Sequence, residues 1–339
     1  MSNQESVSST IRPEMQLMGL IWPGALTVQA IYVAALLRLA DLVAPGPKSV
    51  AELAEATETH APSLGRLLRA LASIGILAED LDGRYQPTPL SDALRTDHPQ
   101  SMRRLALMLG AGFFWKPTGE LAAGIKTGQP PFEQVFGAQF FTYLAAQPAD
   151  AAVFNAAMSS MPAYLDAVVQ TYDFSQFTRI VDVGGGQGAL LTAILAANPQ
   201  VRGVLYDLPA VVRGVRAPDQ SVTDRLEIVP GDFFESVPAG ADAYVLKGVI
   251  HDWSDEDARR ILRNCRQAIP PHGRLLILDR VPASDRDPQS AMMDILMLVL
   301  TGGRERTEVE LRALLADTGF SLIRVIPTMG AAILESRSV

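Results

Sequence analysis

Between Thr178 and Val281 short apolar runs alternate with helical patterns, and this alternation constrains the fold more than any other feature of the chain. "RIVDVGGG" reads as a buried strand ending in glycines and "ALLTAILAAN" as a helix. "VRGVLYDL", "LEIVPGDFF" and "AYVLKGVI" read as further strands, "DEDARRILRNCRQAI" as a helix and "RLLILDRV" as a fifth strand. Strands alternating with helices predict an α/β domain with a mainly parallel sheet. Such sheets bind ligands beyond the carboxyl ends of their strands. Asp182, Gly184, Asp207, Asp232, the stretch Lys247 to His251, and Asp279 all follow apolar strand cores, so chemistry is expected there.

The chain has 339 residues, enough for about two domains. Residues 1–100 read as a mainly helical module, 101–175 as a helical linking region and 176–339 as the α/β domain. "LTVQAIYVAALLRLADLV" is apolar nearly all round, which predicts a deeply buried helix and also suits one packed against a second subunit. Next, "SVAELAEATETHAPSLGRLLRALASIGILAEDLDGRYQPTPLSDAL" reads as two short helices, a strand, a turn at Asp82-Gly83 and another strand. That is the order of a winged helix-turn-helix, with Ser49 and Glu52 spaced as a capping box. DNA binding is the function such a module raises. From Ser49 to His98, however, four basic residues face eight acidic ones, a net charge of −4 that repels phosphate. The module is expected to pack against another domain or subunit. In residues 101–175, "GFFWKPTGEL", "AQFFTYLAA" and "FNAAMSSMPAYL" are rich in aromatic residues and methionine, side chains that fill cores and also make adaptable walls for planar ligands.

At 48% hydrophobic and 19% charged residues the composition is globular, and the net charge of −8 argues against a life on nucleic-acid phosphates. Cys265 is the single cysteine, so no intrachain disulfide forms, and its helical context reads as a buried thiol. The polar start "MSNQESVSST" lacks a secretory pattern, and the apolar runs read as too short or too interrupted to span a bilayer. A cytoplasmic location without a membrane partner is expected. No Cys/His cluster has metal-site spacing, so no metal is expected. His60, His98 and His272 fall in loop-like contexts and read as surface residues.

The glycine loop "VDVGGGQGALL" admits two cofactors. Gly184-x-Gly186-x-x-Ala189, with Asp207 about twenty residues on, satisfies the dinucleotide pattern. Gly184-x-Gly186-x-Gly188 preceded by Asp182 also fits a nucleoside-binding loop without a diphosphate. Glycines let a ligand approach the backbone. A carboxylate at Asp182 disfavours a pyrophosphate and tolerates an ammonium group, which S-adenosylmethionine carries. Asp207 can accept hydrogen bonds from ribose hydroxyls in either case.

In "YVLKGVIHDWSDEDARR" an apolar strand gives way to a charged helix at His251. Ser254 reads as the helix N-cap, with Asp257 three residues later. Asp252, Asp255, Glu256 and Asp257 read as acids complementing the helix dipole, and Trp253 as packing.

Several motifs agree beyond this point. "FNAAMS", "IVDVGGGQGALL", "LYDLPAVV", "GDFFESVP", "YVLKGVIHDWSDEDARRIL", "GRLLILDRV" and "TGGRERT", in this order, resemble the small-molecule O-methyltransferases of plant phenolic and bacterial natural-product metabolism, over nearly the whole chain. The resemblance implies a winged-helix dimerisation domain followed by a Rossmann-like domain that binds S-adenosylmethionine, and a homodimer. It implies that Gly184 and Gly186 shape the cofactor loop and that Asp207, beside Leu208, takes the ribose. Asp232 and Phe233 would flank the adenine and Lys247 would contact the cofactor side. His251 matches the catalytic base, with Asp279 and Glu305 as the acids that hold it. Phe154, Met158 and Met297 match positions lining the acceptor pocket, joined by Trp115.

The chain departs from the family pattern in three places. Asp279 stands where many members have glutamate, one methylene longer. The loop from Met297 to Glu305 is about one residue shorter than in plant relatives, and Met161 and Pro162 do not repeat their polar residues. The last two bear on the acceptor. The chemistry suits these residue types. An in-line methyl transfer chiefly needs alignment. A phenol with a pKa near 10 stays protonated at neutral pH until a base such as histidine takes its proton. A carboxylate on the other imidazole nitrogen fixes the tautomer. A non-methylating relative that decarboxylates or hydroxylates polyketides, a ligand-sensing winged-helix regulator and a nicotinamide dehydrogenase are the rival readings.

Overall fold

The computed structural model describes residues 12–160, 162–216, 220–282 and 287–339; Met161 lies outside the described residues. The chain forms two compact units, Met1–Ala111 and Gly112–Val339.

The larger unit is built on a seven-stranded sheet of order β5-β4-β3-β6-β7-β9-β8. Its strands are β3 (Arg179–Val183), β4 (Arg202–Asp207), β5 (Leu226–Pro230), β6 (Ala243–Lys247), β7 (Arg274–Asp279), β8 (Phe320–Thr328) and β9 (Ala331–Ser338). The smaller unit holds a ribbon of β1 (Leu77–Glu79) and β2 (Tyr85–Pro87). Strands β5 to β7 of the large sheet run parallel, as their sequence pattern predicts. The side-chain period of two then sorts each strand between two cores. Val181, Val183, Tyr244, Leu246 and Ile277 point to one face, covered by the helices Asp255–Ala268 and Glu308–Asp317. Ile180, Leu205, Val245 and Leu276 point to the other, covered by Pro162–Thr171 and Ala189–Ala197. This two-sided cover is why the middles of β3, β4, β6 and β7 are mostly apolar.

Strand β3 pairs with β4 on one side and with β6 on the other, so the chain reverses its direction of winding there. The carboxyl ends of β3 and β6 flank the resulting crevice, the ligand position of doubly wound sheets. The antiparallel hairpin β8–β9 was not anticipated from the sequence. It turns at Gly330, in the left-handed region at φ 74°, and adds β9 against β7.

The smaller unit packs Val50–Thr57 and Ala61–Ser73 around Leu53, Leu64, Leu68 and Leu71, with Leu77 and Tyr85 from the ribbon. The capping box forms: Glu52 N–H donates to Ser49 Oγ at 3.3 Å, and Ser49 N–H donates to Glu52 Oε2 at 2.7 Å. The first part of "LTVQAIYVAALLRLADLV" corrects the expectation of deep burial. In the helix Gly24–Leu36 only Ala34 and Ala35 are buried, whereas Leu26 is 57% exposed. The helix Arg103–Gly110 covers one side, where a Cβ on Gly110 would lie 2.2 Å from the Tyr32 ring. A second expectation also changes. Counted as one helical run, Pro13–Leu36 has mean hydropathy 1.5 over its apolar window and 24 residues, enough by length and composition to cross a membrane.

Candidate active site

Strand β3 ends in a glycine turn whose backbone is committed internally. Gly184 N–H donates to the Tyr206 carbonyl at 2.8 Å, Gly186 N–H to Asp207 Oδ2 at 2.8 Å and Gly188 N–H to the Gly185 carbonyl at 3.0 Å. Gly184 and Gly186 occupy the left-handed region at φ 70° and 60°. A Cβ at Gly185 would lie 2.5 Å from Leu205 and 2.6 Å from Asp182, so no larger residue fits. A pyrophosphate needs free amide groups at such a turn. Here the Gly184, Gly186 and Gly188 amides are taken and two carboxylates, Asp182 and Asp207, stand beside them, which argues against a pyrophosphate at this turn.

The same groups fit a cationic nucleoside cofactor. Asp182 is 2% exposed and neither of its oxygens has a hydrogen-bond partner. Burial pushes its pKa up to about 7, against the pull of Lys247 and with the help of Asp207. Asp207 accepts from Gly186 N–H through one oxygen and from Leu208 N–H, at 2.7 Å, through the other. Each oxygen keeps a lone pair, so a ribose diol can be met without breaking these bonds. Burial raises the Asp207 pKa, and the two amide bonds oppose it. Asp232, after β5, is tied down by Phe234 N–H at 2.8 Å. The Phe233 ring lies over the glycine turn, 3.3 Å from where a Gly184 Cβ would be. Lys247, at the end of β6, places its ammonium 5.8 Å from the centre of the Tyr164 ring.

His251 sits on the short 3-10 turn Ile250–Asp252, just beyond β6. Its Nδ1 lies 3.0 Å from Glu305 Oε1, and the glutamate side chain is 2% exposed. The structure therefore joins two of the three predicted catalytic residues directly. Asp279 is different: it is buried at the end of β7, both oxygens are unpartnered, and it forms no hydrogen bond to the imidazole. Asp279 acts on His251 through its charge. Burial by itself lowers the His251 pKa, but Asp252, Asp279 and Glu305 outweigh it and push it up to about 10.

One residue was read differently from the sequence. Asp252 is no helix-dipole acid: it precedes the helix and holds Oδ1 3.8 Å from His251 Nε2, with burial pushing its pKa up to about 7. Asp255, Glu256 and Asp257 do occupy the first helical turn, capped by Ser254, whose Oγ accepts from Asp257 N–H at 3.2 Å. Trp253 packs against the core, as expected. Its ring meets Phe233 edge-on at 5.9 Å and Phe234 at 4.7 Å on one side, and Phe141 at 5.6 Å on the other. Phe141 in turn contacts Phe154 at 6.3 Å. An aromatic tier thus runs from the glycine turn to the helix Pro148–Met158. Met158 ends that helix, 37% exposed. Met297 is buried on Pro288–Leu300, which packs against Gly112–Gly119, the helix carrying half-buried Trp115. No ring contact or hydrogen bond among the described residues joins the Trp115, Met158 or Met297 side chains to His251. Adjacency of Asp252 to His251 in the sequence was the available signal for the misread residue.

A Rossmann-like sheet with acids at three strand ends and no free phosphate cradle defines a nucleoside-cofactor transferase of the methyltransferase type. Comparison with known proteins agrees. Residues 118–321 match the O-methyltransferase domain and residues 21–97 the O-methyltransferase dimerisation domain. Phenazine O-methyltransferase PhzM of Lysobacter antibioticus is 43% identical over 321 residues, covering 93% of this chain and 94% of that protein. Aclacinomycin 10-hydroxylase RdmB of Streptomyces purpurascens is 38% identical, covering 87% of this chain and 82% of that protein. The crystal structure of NcsB1, an O-methyltransferase from neocarzinostatin biosynthesis in complex with S-adenosylmethionine and 2-hydroxy-5-methyl naphthoic acid, superposes with a TM-score of 0.82 at 35% identity, covering 92% of this chain and 96% of that one. This chain belongs to the O-methyltransferase family, and its cofactor is S-adenosylmethionine.

Asp207→Ala removes charge-assisted hydrogen bonds of about 1.5–3 kcal/mol, which corresponds to a loss of about 10- to 100-fold in affinity for S-adenosylhomocysteine. Calorimetry checks it, and NAD titrated into the wild-type protein should give no heat.

Proposed function

We propose that the enzyme methylates a hydroxyl group on a planar aromatic or polyketide-type small molecule, with His251 as general base. The observation that carries this reading is the buried 3.0 Å contact between His251 Nδ1 and Glu305. A carboxylate on Nδ1 holds the proton there and leaves the lone pair on Nε2, the nitrogen available to an acceptor. S-adenosylmethionine supplies a methyl already activated by its positive sulfur. The protein's part is to align the acceptor oxygen, exclude water and take the proton. A base near 10 matches a phenol of ordinary pKa near 10. Such a base is protonated at neutral pH in the ligand-free chain; a cation bound nearby opposes the imidazolium and brings its pKa down.

In this reading Asp182, Gly184, Gly186, Asp207, Leu208, Asp232, Phe233 and Lys247 hold the cofactor, and Asp279 supports His251 electrostatically. Trp115, Phe154, Met158 and Met297 wall the acceptor site. The exposed apolar face of Pro13–Leu36 supports a homodimer formed through the smaller unit, and the enzyme works in the cytoplasm on small molecules without nucleic-acid or membrane partners. The four-to-eight balance of basic to acidic residues in the Ser49–His98 module supports the exclusion of DNA.

A second reading rests on the similarity to Aclacinomycin 10-hydroxylase RdmB: the same fold could decarboxylate or hydroxylate its substrate. Product mass separates the two, since a gain of one methyl supports transfer and its absence with substrate consumed supports the alternative.

His251→Ala should lower kcat by about 10²–10⁴-fold while S-adenosylhomocysteine affinity stays unchanged; near-normal turnover would sink the base assignment. The pH dependence has a definite sign. The neutral imidazole is the active form, so the rate should rise with pH as the ring loses its proton, with a midpoint lower in the cofactor-bound enzyme than the value of about 10 in the ligand-free chain. Glu305→Gln removes one of the carboxylates that raise it, so the midpoint should move to lower pH even as the maximal rate falls. Sedimentation should report twice the chain mass, and Leu20→Lys, at a site 77% exposed in the single chain, should shift it toward the monomer.

A further inference from the structure

We infer that Arg306 is a positioning residue that clamps the turn carrying His251, an inference that rests on reading His251 as the base. The turn Ile250–Asp252 is a single 3-10 turn, too short to hold its own geometry. Arg306 grips it from both ends. Its Nη1 donates to the Ile250 carbonyl at 2.8 Å and its Nη2 to the Trp253 carbonyl at 2.8 Å. Its Nε donates to Asp255 Oδ1 at 2.9 Å, which ties the same guanidinium to the first turn of the following helix. The arginine side chain is 2% exposed, and its bond to the Ile250 carbonyl is buried away from competing water.

The neighbouring residues reinforce the register. Arg304 N–H donates to the His251 carbonyl at 2.9 Å, and a Cβ on Gly303 would lie 2.1 Å from that same oxygen. Glu305, between the two arginines, accepts the His251 Nδ1 proton, while its own N–H donates to Asp294 Oδ1 at 2.8 Å. Three successive residues therefore hold the turn: one by backbone, one at the imidazole and one at the flanking carbonyls. Only a planar fork reaches both carbonyls and a carboxylate together; a lysine ammonium is a single point with no such geometry.

Arg306→Met and Arg306→Lys test the clamp, with thermal melting to identify the folded variants. Three measurements follow: kcat, S-adenosylhomocysteine affinity by calorimetry, and the nuclear magnetic resonance signal of the His251 ring in isotope-labelled protein, assigned with His251→Ala. In Arg306→Met, kcat should fall about 10- to 100-fold with cofactor affinity unchanged, and the ring signal should lose the shift that reports its bond to Glu305. Arg306→Lys should recover little of either. Wild-type kcat with an unmoved ring signal in a folded variant overturns the inference. If neither variant folds, Asp255→Asn decides: releasing one anchor should lower kcat several-fold and shift the ring signal, and no change in both overturns the clamp. If His251→Ala stays active while the ring signal moves in the Arg306 variants, the base assignment fails and the clamp stands.

Discussion

The hydrogen bond between Glu305 and His251 joins residues 54 positions apart and buries a carboxylate against an imidazole. Removing either partner of such a pair strands the other in a low dielectric. The sheet must bring the end of β6 to the loop after Pro288–Leu300, and that loop must sit within hydrogen-bond reach of the turn. Gly303 makes the approach possible, since any side chain there would collide with the His251 carbonyl. The rest of the site is arranged around this contact.

Charge is distributed along the crevice in an unequal way. Asp182 and Asp207 stand at the glycine turn, Asp252, Asp279 and Glu305 around the imidazole, and Lys247 exerts its charge on both Asp182 and Asp252. Acids outnumber the nearby cations, so the site favours a positively charged ligand and repels a phosphate. That balance also explains the behaviour of His251: burial alone would make it a weaker base, and three surrounding acids make it a stronger one. The raised pKa is therefore tied to the acids.

The aromatic tier links these two groups of acids physically. Trp253 sits beside His251 in sequence and between Phe233 and Phe141 in space. Edge-to-face contacts of this kind hold rings at fixed angles. The wall on the glycine-turn side and the wall on the Phe154 side are in this way one packed unit.

The sequence by itself determined the class of fold. Uniformly apolar strands separated by helices admit little besides a parallel sheet covered on both faces, and glycines and acids at strand ends mark where such a sheet binds ligands. It also named His251 and Glu305 together, through a family resemblance that carries them in two separate motifs. It did not disclose the β8–β9 hairpin, whose mixed polar pattern reads weakly, nor the exposure of Gly24–Leu36, since apolar periodicity does not say which surface will cover a helix. Only the tertiary structure decided how the acids divide their work. Asp252 lies at the imidazole, on the 3-10 turn ahead of the helix, and Asp279, buried at the end of β7, makes no direct bond to it. Hydrogen bonds depend on distances of tenths of an ångström between residues far apart in the chain, and such distances exist only once the sheet has closed.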